Sequence, residues 1–74
     1  MNNYKITEKL THEELAERFI KLNTEVKVLN WQPLLNDDSK VYADPNQPTI
    51  KVQLENNWWL RVYVDKDTNE ITWY

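Results

Sequence analysis

From Ile50 to Tyr74 the side chains alternate in character with period two, and that alternation leaves the C-terminal third of the chain little choice of structure. Ile50, Val52, Leu54, Trp58, Leu60, Val62, Val64, Ile71 and Trp73 fall on one side of an extended backbone. Lys51, Gln53, Trp59, Arg61, Tyr63, Thr72 and Tyr74 fall on the other. Successive strand side chains point to opposite faces, so the first set marks a core face and the second an outer face. Turn-forming residues interrupt the run twice, which predicts a three-stranded antiparallel meander.

The faces also set the loops. A loop of Asn56-Asn57 alone would put Leu54 opposite Trp59 and mismatch the two sides. A loop of Glu55-Asn56-Asn57 instead pairs Leu54 with Trp58, Val52 with Leu60 and Ile50 with Val62, and asks Asn57 for a left-handed backbone. The second hairpin, closing over Lys66-Asp67-Thr68-Asn69, pairs Val64 with Ile71 and Val62 with Trp73. A slip by one residue would turn every apolar side chain outward. These registers set Gln53 opposite Trp59, Lys51 opposite Arg61 and Arg61 opposite Tyr74, and they assign Trp58, not Trp59, to the core. The chain has no glycine and nine asparagines. Positive φ therefore falls to Asn or Asp, and Asn57 and Asn69 stand where the hairpins require it.

Upstream, Thr11-His12-Glu13-Glu14 has the form of a capping box, in which the Thr hydroxyl and the Glu carboxylate each satisfy an orphan backbone N–H. Glu13, Glu14 and Glu17 place negative charge where the helix dipole favours it. Leu15, Phe19 and Leu22 recur at helical spacing, with Ala16 and Ile20 widening the stripe and Leu10 placed to staple onto Leu15. A helix over 12–23 follows. Val26 and Leu29 would extend the stripe to about residue 30, but Asn23-Thr24 continues a helix poorly and Val26-Lys27-Val28 is strand-like. A short strand at 26–31, stopped by Pro33, is the preferred reading. The segment 32–48 holds all three prolines and is expected to be a long loop, with Lys40-Val41-Tyr42-Ala43 as a brief edge strand within it. The fold expected is α+β: a single N-terminal helix packed on one face of a small antiparallel β-sheet, the C-terminal three-stranded meander with a fourth strand at 26–31, in one domain over residues 1–74.

Composition narrows the function classes. Nine basic and twelve acidic residues give a net charge of −3, and no basic stripe of the kind nucleic-acid binders carry is present. The absence of cysteine and of an apolar leader in Met1–Thr7 points to a cytoplasmic protein with no membrane segment. His12, the single histidine, has no second ligand at helical spacing and reads as a solvated first-turn residue. Asp65-Lys66-Asp67-Thr68-Asn69-Glu70 opens like a calcium loop, but its sixth position is Glu where glycine is required, so it reads as a hairpin turn. Asn36-Asp37-Asp38-Ser39 with Asp44 reads as a solvated acidic loop. No phosphate loop, nucleophile motif or metal-ligand spacing is present, so no catalytic residue, metal or cofactor is assigned.

The outer face is the remaining candidate. Tyr, Trp and Thr suit strands for structural reasons, and residues 24–47 could fold over the face and bury it. Tyr, Trp and Arg also dominate binding hot spots. On the second view Trp59, Arg61, Tyr63 and Tyr74 would touch a partner, with Lys51 and Gln53 at the rim. The protein would then be a small, non-enzymatic protein–protein interaction module. Its size, acidity and Asn- and Lys-rich composition suggest, by analogy, an inhibitor or immunity-type factor of a bacterium, phage or other mobile element. The alternative is weak single-stranded nucleic-acid binding on the same face, disfavoured by net charge. A homodimer through the face or a sheet edge fits as well.

Overall fold

The computed structural model describes residues 5–34 and 41–74 of the chain. It has one helix, α1 (His12–Leu22), packed against a four-stranded antiparallel sheet: β1 (Val28–Pro33), β2 (Ile50–Leu54), β3 (Trp59–Val64) and β4 (Ile71–Trp73). The strands lie side by side in chain order. The expected α+β architecture is the observed one.

The capping box forms as the sequence predicts. The Thr11 hydroxyl accepts from the Glu14 N–H at 3.1 Å, and the Glu14 carboxylate accepts from the Thr11 N–H at 2.8 Å. Leu10 and Leu15 are both buried in the core, as a staple requires. The helix does not continue past Leu22. The Asn23 side chain and backbone N–H both donate to the Phe19 carbonyl, and the Val26 N–H then donates to Asn23 in a turn. That turn uses up Val26, so β1 begins at Val28 and not at 26. A bulge between Val28 and Asn30 then shifts the register before Trp31 pairs with Val52. Pro33 is the last residue of this edge strand, where its missing donor costs nothing.

Both hairpin registers agree with the sequence reading: Ile50–Val62, Val52–Leu60 and Gln53–Trp59 in the first, Val62–Trp73 and Val64–Ile71 in the second. Asn57 and Asn69 are the non-glycine residues at positive φ, at 69° and 60°. The Asp65 carboxylate accepts from the Asp67 and Thr68 N–H groups, which closes the second hairpin as a turn. On the inner face Ile50, Val52, Val62 and Val64 pack with Leu15, Ala16 and Phe19 of α1, joined by Ile6 and Leu10.

The connection between β1 and β2 has more order than a loop reading suggests. Ala43 forms an antiparallel bridge with Asp65, and the Asp44 N–H donates to the Val64 carbonyl at 2.8 Å. Residues 42–44 thus prolong the β2 side of β3, while Pro45–Pro48 bow outward before the chain rejoins the sheet at Ile50. The described part of the expected 40–43 strand amounts to this one bridge; Lys40 and the acidic stretch Asn36-Asp37-Asp38-Ser39 lie outside the described residues. At the tip of the bow, Gln47 clamps the segment that leads into α1. Its Oε1 accepts from the Leu10 N–H at 3.0 Å and its Nε2 donates to the Glu8 carbonyl at 2.8 Å. Ile6 is held from the other end by its N–H bond to the Asn69 carbonyl at 2.7 Å.

Two stability experiments follow. In chemical denaturation Asn57→Ala lowers stability by about 1 kcal/mol while Asn57→Gly does not, because only the alanine Cβ opposes the left-handed backbone. Gln47→Ala costs about 1–3 kcal/mol by leaving the partly buried Leu10 N–H without its acceptor, and hydrogen exchange at Leu10 rises in step.

Candidate functional site

The sheet fixes the outer face with the inner one, since Lys51 sits between buried Ile50 and Val52, and Arg61 between Leu60 and buried Val62. Lys51 and Arg61 are directly paired across β2 and β3, Gln53 pairs with Trp59, and Tyr63 pairs with Thr72. Arg61 and Tyr74 exchange both backbone hydrogen bonds, at 2.8 and 3.0 Å. Gln53 donates to the Asn57 side-chain oxygen at 3.4 Å, a weak contact at the rim.

The charged and aromatic side chains combine into two pairs. The Lys51 ammonium stands 5.0 Å from the centroid of the Trp59 ring, and the Arg61 guanidinium carbon 5.2 Å from that of Tyr74. Tyr63 meets Tyr74 edge-to-face at 6.0 Å. Lys51 therefore reaches diagonally along β3 while Arg61 reaches across to Tyr74. The two cations lean apart, which relieves the repulsion their register would impose. Leu34, Lys51, Trp59, Leu60 and Arg61 line a half-open groove of about 410 Å³, with no acidic side chain among its described lining residues. Among the described residues the one ion pair, Arg18–Glu8 at 3.1 Å, belongs to the helix side.

Exposure divides the predicted site residues. Trp59 and Tyr74 remain 40% and 49% exposed, and Lys51, Gln53 and Arg61 are half-buried. Tyr63, expected at the surface, is only 6% exposed. By alternation Ala43, opposite Asp65, shares the outer face one step beyond Tyr63, and both are buried outside the core cluster under α1. Tyr63 packs edge-to-face on Tyr74 and is buried beside it, so it supports the surface instead of forming it.

The other correction concerns Trp58. The register places it opposite Leu54 as expected, yet it is 68% exposed. An eleven-residue helix is about 16 Å long, too short to roof the whole sheet. Burial falls along the inner face from Val52 and Val62, through half-buried Leu54 and Leu60, to Trp58 beyond the helix's reach. Trp73 is intermediate, 37% exposed but meeting Phe19 edge-to-face at 5.2 Å. His12 is exposed at the start of α1.

The chemistry available at the face is contact: aromatic surface, two fixed cations and amide donors. Among the described residues no group of three or more His, Cys, Asp or Glu side chains could hold a metal ion. No described helix is long and apolar enough to cross a membrane. No protein-family model matches the chain, and neither a curated protein nor a solved structure does.

The division between Tyr63 and Trp58 is measurable. Tyr63→Ala lowers unfolding free energy by about 3 kcal/mol, the range for a buried aromatic. Trp58→Ala changes it by less than about 1 kcal/mol, the range for a surface position. Thermal and urea melts of the two variants give the comparison.

Proposed function

We propose that this protein is a small, non-enzymatic protein–protein interaction module that engages its partner through the outer sheet face and acts by blocking it, as an inhibitor or immunity-type factor does. The observation that carries this reading is the pairing of exposed Trp59 and Tyr74 with Lys51 and Arg61 across β2, β3 and the residue that follows β4. Large aromatics held by a rigid sheet lose little conformational freedom on binding, and Trp, Tyr and Arg are the residue types that concentrate binding energy. The contact residues are Trp59, Arg61 and Tyr74, with Lys51 and Gln53 at the rim. Tyr63 serves beneath them.

Single-stranded nucleic acid is the second reading, since bases stack on aromatics flanked by cations. Two cations in a chain of net charge −3 would give weak, salt-sensitive binding. Recovery from host-cell lysate separates the two. The expected result is a protein partner that survives nuclease treatment and that Trp59→Ala binds weaker by about 2 kcal/mol, roughly thirtyfold. Nuclease-sensitive recovery would favour nucleic acid. Equal recovery by wild type and a Trp59→Ala/Tyr74→Ala variant, with both folded by circular dichroism, would remove the face from function.

A further inference from the structure

Lys51 and Arg61 present a charge arrangement that the fold itself does not use. They are direct cross-strand neighbours of like sign, a pairing that opposes sheet formation. Among the described residues no acidic side chain lines the groove beside them. The chain as a whole is acidic, with twelve carboxylate residues against nine basic ones, yet among the described residues neither cation has an acidic ion-pair partner. Each cation is instead set against a ring, Lys51 on Trp59 and Arg61 on Tyr74. A cation held on an aromatic keeps its outward N–H donors, and the planar guanidinium keeps a fork that fits a carboxylate.

We propose that Lys51 and Arg61 form an anion-receiving pair that takes carboxylate side chains from an acidic, partly apolar segment of the partner protein. This deepens the interaction-module reading and rests on it. Leu34 and the Trp59 ring wall the same groove, so an apolar side chain between two carboxylates finds a dry surface while the carboxylates meet the cations. The groove is half open and lined from β2, β3 and the residue after β1, which suits an extended segment lying across the strands. A polyanion fits less well. Asp65 follows Tyr63 on the outer face by alternation, and the hairpin beyond it carries Asp67 and Glu70, so a strand of phosphates running along β3 would meet negative charge within a few residues. A short segment with two carboxylates ends before it does.

The test uses isotope-labelled full-length protein with three probes: a short peptide alternating Glu and Leu, the same peptide with Gln in place of Glu, and an oligo-dT strand of similar length. The Glu/Leu peptide is expected to shift the Trp59 indole and Arg61 side-chain resonances, and Lys51→Gln or Arg61→Gln to weaken it by about tenfold each. The Gln/Leu peptide is expected to bind at least about tenfold more weakly than the Glu/Leu peptide. Both side chains are half-buried, so each variant's thermal melt is recorded beside the titration, and a loss of binding with the melt in place reports contact and not unfolding. Equal binding of the Gln/Leu peptide, abolished by Trp59→Ala but unaffected by Lys51→Gln and Arg61→Gln, overturns the anion pair while leaving the face as a docking surface. Tighter binding of oligo-dT than of the Glu/Leu peptide overturns the partner class. Absence of any shift at Trp59 and Arg61 with all three probes overturns the pair and, together with unaltered lysate recovery by Trp59→Ala/Tyr74→Ala, the interaction reading beneath it.

Discussion

Leu15 and Phe19 close over Ile50, Val52, Val62 and Val64, and everything else in the molecule is arranged by that contact. All six side chains are essentially removed from solvent. Each contributes roughly 1.5–3 kcal/mol of transfer free energy, against the loss of chain entropy that a protein this small can only just offset. The contact has a geometric consequence beyond stability. Because strand side chains alternate, a sheet whose inner face is fixed has no freedom left for its outer face. Lys51 lies between Ile50 and Val52, and Arg61 between Leu60 and Val62, so moving either would mean taking valine and isoleucine out from under the helix.

The chain reaches this arrangement without glycine, and the way it does so is visible in its turns. Asn57 and Asn69 accept the left-handed backbone that glycine would normally take, at a modest steric cost that the flanking hairpins outweigh. Asparagine and aspartate then repeat the device at positive or negative φ: the Asp44, Asn56 and Asp65 side chains each accept a backbone N–H two residues ahead. Gln47 extends the same logic over a long range by replacing the backbone partners of the segment before α1. Side-chain amides and carboxylates take over connections that regular secondary structure would otherwise make.

These local devices explain what the sequence reveals and what it hides. The capping box, both hairpin registers and the left-handed asparagines depend on neighbours a few residues away or on strict alternation, so they can be read from residue order alone. The start of β1 could not, because Val26 has strand character but is used in the turn after α1. Nor could the exposure of Trp58, since alternation gives the face and not how far an eleven-residue helix covers it. Tyr63 shows the converse. Its alternation is outward as read, yet it is buried, and the contacts that cover it, such as the Tyr74 ring, are not given by alternation. The candidate site therefore loses Tyr63 as a contact residue and keeps Trp59, Arg61, Tyr74, Lys51 and Gln53. The cation–ring pairs were within reach of the register, which already sets Arg61 opposite Tyr74 and Lys51 diagonal to Trp59.

The neighbouring tryptophans on the first hairpin show how one backbone serves both purposes. Trp58 and Trp59 point to opposite sides, and neither is fully buried, for different physical reasons. Trp58 is exposed because cover runs out, and nothing charged is set against its ring. Trp59 is exposed on the sheet with an ammonium against its face, so its ring position is restrained by Lys51 and by the backbone pairing of Trp59 with Gln53 on β2. A ring restrained before binding loses less freedom when it meets another surface, and that difference separates an anchor from an exposed residue of the same type. By this criterion the proposed contact surface is the outer face and not the more exposed Trp58 end. Buried Tyr63 meets the Tyr74 ring edge-to-face, and the Arg61 guanidinium lies over that same ring, so the buried side chain backs the position of the exposed pair.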